Sequence, residues 1–584
     1  MIAVHRMTNA QRGRGMPDTQ DRPMALHQGR TSRRRLILAA AGGAGVAMAG
    51  IACSTGPKTA GSGNPGGSSQ AKQPKRGGVL NYAGGAAGSN DTRGRTFDPT
   101  IQTQWASKAY TLFYERLLSY DLRTYKVGPE LAQKWEQPSQ TEYLFSLQPG
   151  VKWHSKAPAN GRALTADDIV WSLDRARTDD PKFYSRSLLT LVDKIEAPDK
   201  STIRITTKGP WASTLKALAV DNLAILCREV IEKFPKPITA ESAVGTGAFM
   251  MSSEEDNVGA EYVRNPGYWR QGLPYLDSVR TRHFPDYQTA YAAFLANQVD
   301  ITLIPGEESK KYVTQQGAGY TPAWYPDDTF RFMYPNTQRK PMDDPRVTRA
   351  LKLLVDHDEF NTAWAESHFG KGGYGSIFPT ALMDWDLTTD EYRRQLEWKQ
   401  PKDEAAKEAI SLLNAAGFNK DNPLKFTLDG DTSEGAQPEN ELLQAQWKKW
   451  SQGIVIADLK VNQGATGDAI RAQRTFTYIC TGQSTGLVDP DIWLTNIYRT
   501  GGSLNFMGFG DAKADAMVDK QRAIFDESQR KAAVKEIVLY LIDKAPSGIP
   551  ANRYFLQAVK PKVLNQAPEY FLNGVQYQNV WLAG

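Results

Sequence analysis

Three groups of residues have types and spacings that chemistry could use. Gly482-Gln483-Ser484-Thr485-Gly486 fits the G-x-S-x-G nucleophile elbow, where a serine on a sharp strand-to-helix turn is activated by a histidine base. Residues 476–480 could form the strand that precedes such an elbow. Acyl transfer also needs a helix directly after the serine, and an acid and then a histidine later in the chain. Leu487-Val488-Asp489-Pro490 is a poor helix start, and the last histidine, His368, comes well before Ser484. A serine without its base is not a hydrolytic site. The second group is His154, His283, His357 and His368 with Cys227 and Cys480; no two of these stand at metal-ligand spacing, so no metal and no cofactor is expected. The third is Gly245-Thr246-Gly247, which lacks the Lys-Ser/Thr of a phosphate-binding loop and reads as a tight turn.

The elements around these residues alternate between strand and helix. Tyr143, Phe145 and Leu147 alternate with polar residues, Pro149-Gly150 supplies a turn, and Val151 and Trp153 resume the alternation, which predicts a β-hairpin. Thr165 then stands as an N-cap before Asp167 and Asp168, whose charges suit a helix N-terminus, with Ile169, Val170 and Leu173 on one face. Ala406, Ala409, Ile410 and Leu413 keep helical spacing up to Gly417, and Val534, Val538, Leu541 and Ile542 form a last stripe before Pro546. No internal repeat is evident. The class is α/β with mixed sheets, and a body of residues 79–584 is long enough for two or three lobes.

The N-terminal part says where the protein works. Ser32-Arg33-Arg34-Arg35 opens an Ala/Gly-rich apolar stretch ending at Ala52-Cys53, the pattern of an export signal over residues 1–52. Its paired arginines resemble a twin-arginine signal, and Cys53 resembles the lipid acceptor of a bacterial lipoprotein. Gly50 stands where such an acceptor site usually has a large aliphatic residue. Met7, Met16 and Met24 are alternative starts. The 17 residues 36–52 are too short and too poor in leucine for a good membrane span. Residues 53–78 then form a flexible linker with no large apolar side chain, reaching roughly 25–30 Å as a coil. The expected location is extracytoplasmic, tied to the cell membrane by lipid on Cys53, or secreted without it.

Charge excludes another class. The formal net charge is +6, and residues 1–52 hold eight arginines and two aspartates, so the leader carries all of it. The remainder is balanced, which removes the basic footprint of a nucleic-acid binder. Cys227 and Cys480 could pair in an oxidising compartment, but spacing alone does not decide it.

Several segments, in order, resemble extracellular solute-binding proteins of family 5, the peptide, oligopeptide and nickel group serving ABC importers. Gly150-Val151-Lys152-Trp153-His154 and the run from Leu164 to Leu173 carry the signature. Phe97-Asp98-Pro99, Tyr114-Glu115-Arg116-Leu117, Val244-Gly245-Thr246-Gly247-Ala248-Phe249, Arg264-Asn265-Pro266-Gly267-Tyr268-Trp269, the run from Asp344 to Leu351, and Asp489-Pro490-Asp491 extend it over about residues 77–584. Trp153, Trp171 and His154 read as packing and structural residues within that signature. The resemblance implies a monomeric two-lobed receptor that closes on a solute and is sensed by a membrane permease, without chemistry on the solute. Lobe I would comprise 79–106, 241–329 and 550–584, with an extra subdomain at 107–240; lobe II would comprise 330–549.

The resemblance also points to the ligand site. Peptide-binding members place an aspartate three residues before the Asp-Pro pair to receive the peptide ammonium; the matching position here is Gly486. A buried ammonium without a carboxylate is costly, so a non-peptide or modified solute is favoured. Gln483, Ser484 and Thr485 would offer neutral hydrogen-bonding groups, which suits an oligosaccharide or an amide. Asp489 is the candidate substitute carboxylate if the solute is an ordinary oligopeptide. Trp105, after Phe97-Asp98-Pro99, and Trp493, after Asp489-Pro490-Asp491, are placed to stack on a solute from the two sides. A nickel chelate, another family substrate, would need few protein ligands. A secreted serine hydrolase is the alternative from another class.

Overall fold

The computed structural model describes residues 73–83, 96–101, 110–567 and 576–583, apart from 122, 181, 256–257, 305, 307, 310, 312–322, 327–329, 432–435, 463 and 484–488. The leader, Cys53, most of the linker, Trp105, Ser484, Thr485 and Gly486 lie outside the described residues.

Three larger sheets organise the body, and the class is α/β with mixed sheets, as expected. The first has eight strands among the described residues. Its order is Ala323–Pro326, Ala551–Val559, Ile301–Ile304, Val79–Ala83, Ser278–Arg282, Gly259–Arg264 and Phe249–Glu255, with Gly372–Tyr374 also pairing on Ala551–Val559. Val79–Ala83 runs parallel to both its neighbours, whereas the outer pairs are antiparallel. The second sheet is an antiparallel set of four: Ala132–Ser139, Glu142–Leu147, Thr202–Thr207 and Val192–Asp199. The third has the order Phe330–Pro335, Tyr478–Gln483, Leu424–Asp431 and Val455–Asn462, antiparallel at the first pair and parallel thereafter.

Alternation explains how the third sheet is buried on both faces. Met333, Tyr478, Cys480, Phe426 and Leu428 pack with the helices Pro345–Leu353, Asp403–Ala415 and Ala436–Trp450. Their neighbours in the strands, Phe332, Tyr334 and Ile479, face the opposite way onto Ala512–Arg522 and Glu527–Lys544. Successive side chains point to opposite faces of a strand, so a continuous apolar run serves a sheet covered by helices on both sides. Asp403–Ala415 ends as expected, with Gly417 at a φ of +93°.

The second sheet is covered on one face. Tyr143, Phe145, Ile203 and Ile205 point to a core shared with Ile169 and Leu173 of the helix Ala166–Ala176. That helix starts as its sequence predicts: the Asp168 carboxylate accepts the Thr165 backbone N–H at 2.9 Å. The hairpin expected across Pro149-Gly150 is not formed. Glu142–Leu147 has both edges taken, by Ala132–Ser139 and Thr202–Thr207, and Gly150 turns the chain away at φ +76°. Lys152 makes only an isolated bridge to Ala163, and Trp153 packs into the core instead.

Gly245 and Gly247 read as a tight crossing, and the structure shows one. A Cβ at Gly245 would lie 1.8 Å from the Phe113 carbonyl oxygen, and one at Gly247 would lie 2.7 Å from the Phe113 carbonyl carbon. His154 clamps this crossing from the other side. Its Nδ1 accepts the Gly245 N–H at 3.2 Å, and its Nε2 donates to the Gly247 carbonyl at 3.0 Å. That pattern requires a neutral ring, and burial pushes the imidazole down to about 4. Cys227 and Cys480 are free, buried thiols, so the open question of their pairing resolves against a disulfide. Among the described residues no helix is long and apolar enough to cross a membrane.

Candidate functional site

Three parallel strands of the third sheet end together, at Asp431, Asn462 and Gln483. In open α/β sheets ligands bind beyond the carboxyl ends of the strands, so this edge is where a solute would meet the fold. Antiparallel pairing places Arg331 opposite Gly482 and Phe330 opposite Gln483.

A charged cluster is built into this edge. Arg331 is almost wholly buried, with its Nη1 3.1 Å from both Asp431 oxygens and its Nε 2.5 Å from Glu439 Oε2. Burial raises the Glu439 carboxyl above its ordinary value, and the Arg331 charge opposes that rise. Asp431 also accepts the Thr481 hydroxyl at 2.9 Å and the Gly482 N–H at 3.3 Å, while Arg471 donates to the Thr481 hydroxyl at 3.2 Å. Asp431 keeps 24% of its side chain exposed, so this carboxylate reaches the surface of the edge. Thr481 and Gly482 border the segment read as the ligand site, whereas Arg331, Asp431, Glu439 and Arg471 were not singled out from sequence. One signal was available: Arg331 is the lone charge in Phe330-Arg331-Phe332-Met333-Tyr334, an otherwise apolar run.

Asp489 sits just beyond residues 484–488 and caps the short helix Pro490–Trp493. Its Oδ1 accepts from the Asp491 N–H at 2.9 Å, the Ser213 hydroxyl at 2.8 Å and Arg530 Nη2 at 2.7 Å. Its Oδ2 lies 3.0 Å from Arg530 Nη1 and 3.1 Å from Lys216 Nζ. Burial alone would raise this carboxyl, but Arg530 and Lys216 outweigh it and hold the group well below the usual carboxylate range. Asp489 is therefore a fully engaged, buried anchor rather than a carboxylate waiting for an ammonium. Trp493 is also in the core. Its indole N–H donates to the Ile377 carbonyl at 3.0 Å, and its ring packs 6.4 Å from Phe332 and 6.3 Å from Phe378. Among the described residues, packing accounts for the wholly buried Trp493. Gln483 ends its strand as the elbow pattern requires, but the helix that follows begins only at Pro490 and has four residues. Among the described residues no group of three or more His, Cys, Asp or Glu could hold a metal ion.

Other signature segments meet in space as scaffolding. Glu115 accepts the Trp269 indole N–H at 2.9 Å and the Tyr268 hydroxyl at 2.9 Å. Arg116 is paired with Glu130 at 2.8 Å and with Asp221. Asp98 holds Arg175 at 2.5 Å.

The fold is that of periplasmic binding proteins. A solved structure of a Haemophilus influenzae oligopeptide-binding protein, in complex with the peptide RPPGFSPFR, superposes with a TM-score of 0.73 at 20% identity, covering 88% of this chain and 100% of that one. The chain belongs to the bacterial extracellular solute-binding proteins, family 5, whose model matches residues 126–505. Among curated proteins, the dipeptide-binding protein of Escherichia coli strain K12 is 24% identical over 480 residues, 77% of this chain and 85% of that protein. The heme-binding protein A of Haemophilus influenzae is 25% identical over 482 residues, 77% of this chain and 83% of that protein. The chain is a solute-binding component of an ABC import system.

Proposed function

We propose that this protein captures a non-peptide or modified-peptide solute between two closing lobes and hands it unchanged to a membrane permease. The lobes are residues 79–106 with 241–329 and 550–584, and residues 330–549; residues 107–240 form an extra subdomain of the first. Supporting this division, each larger sheet draws its strands from one of these spans, apart from Gly372–Tyr374. Solute touching both lobes would stabilise the closed form over the open one, which is all the mechanism requires. No bond in the solute needs to be made or broken, and the protein is not an enzyme.

The observation that carries the solute reading is the engagement of Asp489. With Gly486 in place of the usual ammonium-binding aspartate and both Asp489 oxygens committed to Arg530, Lys216 and Ser213, the carboxylate nearest to residue 486 in sequence is taken. Gln483, Ser484 and Thr485 then supply neutral hydrogen-bonding groups, and Trp105 a stacking face. The second reading is an ordinary oligopeptide, favoured by the relatives named for peptides. It would need another carboxylate; Asp431 beside Gly482 is a candidate because it is held by Arg331 but, unlike Asp489, still reaches the surface. The heme-binding relative favours the first reading. We further propose a monomer anchored in the cell membrane through lipid on Cys53. Mass spectrometry of the mature N-terminus tests that directly.

A thermal-shift screen of the purified protein against dipeptides, oligosaccharides, heme and nickel chelates tests the solute class. A solute at 100 times its dissociation constant adds about 2.7 kcal/mol of stability. Stabilisation by neutral or non-peptide solutes supports the first reading, and stabilisation by plain dipeptides overturns it.

A further inference from the structure

Residues 211–216 follow the last strand of the antiparallel four-stranded sheet, yet several of their polar groups are spent on a distant part of the chain. The Ala212 N–H donates to the Arg522 carbonyl at 2.8 Å, and the Trp211 indole N–H donates to Asp491 Oδ2 at 2.8 Å. The Ser213 hydroxyl donates to Asp489 and lies 2.9 Å from Arg530 Nη2, and Lys216 Nζ reaches Asp489 Oδ2. Behind these contacts Asp491 Oδ1 is held by Arg522 Nε and Gln521 Nε2, each at 2.7 Å, and Gln521 Oε1 accepts from Arg530 at 2.9 Å. Trp385 roofs the cluster, with Lys216 Nζ 4.9 Å and the Arg530 guanidinium 5.1 Å from its ring. Ile492, between the two aspartates and Trp493, packs into the apolar core of residues 117–244.

Two features set this contact apart from ordinary docking. It is polar and directional, joining residues whose own sheets are separate, and it engages both oxygens of each aspartate, Asp489 and Asp491. If the lobes of the proposed receptor part, residues 211–216 and 489–530 stand on opposite sides. We propose that Trp211, Ser213 and Lys216 with Asp489, Asp491 and Arg530 form a clasp across the cleft, made on closing, which biases the empty receptor toward the closed form. This inference rests on the two-lobed receptor reading. A contact present only in the closed state shifts the open–closed balance without solute, and the apparent solute affinity follows the population of the competent state.

The test is a distance measurement on the full chain. Fluorophores are attached at Glu136→Cys and Glu408→Cys, both exposed, in a Cys53→Ser background that leaves only the buried native thiols. The empty parent is compared with Ser213→Ala and with Lys216→Met, the latter altering a side chain that is only partly buried. Each variant is expected to raise the ratio of open to closed molecules at least about threefold, with native circular dichroism. Unchanged distance distributions in both variants would overturn the clasp and make the contact a permanent joint. The parent is also measured with a dipeptide, heme or maltotriose added. A parent that keeps one distance throughout would instead defeat the receptor reading, and the clasp with it.

Discussion

Glu115 and Trp269 are joined through both carboxylate oxygens, with the indole N–H 3.1 Å from Oε1 and 2.9 Å from Oε2, so two segments 154 residues apart meet in the core. Burial first, and the neighbouring Glu130 second, push the Glu115 carboxyl up from 4.5 to about 7. Between those two values the folded chain holds a proton that the unfolded chain has lost, so stability falls as pH rises through this window. Glu115→Gln removes that loss. The variant will gain stability relative to the parent from pH 4.5 to 7, on the order of 2–3 kcal/mol at most. Guanidinium unfolding at pH 4.5 and 7 measures it; a constant difference at both pH values would contradict the assignment.

His154 has the opposite sign. Its folded value, about 4, lies below the ordinary 6.5, so the unfolded chain takes up the extra proton. The stability it contributes is present above pH 6.5 and lost as pH falls toward 4. His154→Phe will unfold more readily at neutral pH, because the Gly245 N–H and Gly247 carbonyl lose their partner. It will also show a weaker loss between pH 6.5 and 4 than the parent does, which paired melts at the two pH values will reveal.

Gly245→Ala places a methyl group within 1.8 Å of the Phe113 carbonyl oxygen, a backbone atom with no rotamer to relieve the clash. Destabilisation by more than about 3 kcal/mol, or failure to accumulate folded protein, is the expected result. Gly417→Ala is a useful control. It has no neighbour within 4 Å but sits at φ +93°, so it meets only backbone strain.

Arg331→Met leaves the Glu439 carboxylate buried without its cation and should cost about 3–5 kcal/mol. The double variant Arg331→Met, Glu439→Leu removes both charges and should recover much of that loss. A double-mutant cycle by urea unfolding separates the two effects; additive costs would show that the pair is not coupled.

Trp493→Ala opens a cavity in an aromatic core and should cost about 3–5 kcal/mol of stability. Trp105→Ala, by contrast, should weaken solute binding with little change in melting temperature. Equal solute affinity in the Trp105 variant and the parent would remove Trp105 from the site.

The elements with strong periodicity were legible from residues alone. The capped helix at Ala166–Ala176, the helix stopped at Gly417 and the stripe of Glu527–Lys544 appear where their spacing places them. The strand at Glu142–Leu147 was legible too, but its partners were not. Pairing is settled by distant strands, and Ala132–Ser139 and Thr202–Thr207 won over the nearby Val151 segment. The Arg331 cluster and the Asp489 anchor were illegible for the same reason. Each depends on residues from two or more separate segments, so the lone charge of Arg331 in its apolar run marks a buried cation without naming its partners. Trp493 shows the limit from the other side: its position after Asp489-Pro490-Asp491 marks the right neighbourhood, while burial decides its role.

The most direct test of the account is small-angle X-ray scattering of the purified protein during titration with the solute that stabilises it most in the thermal screen, followed by recovery of that solute. A saturable fall in radius of gyration, with the solute returned chemically unchanged, is the predicted result. A stabilising solute that leaves the radius unchanged, or that comes back cleaved, would contradict capture by closing lobes.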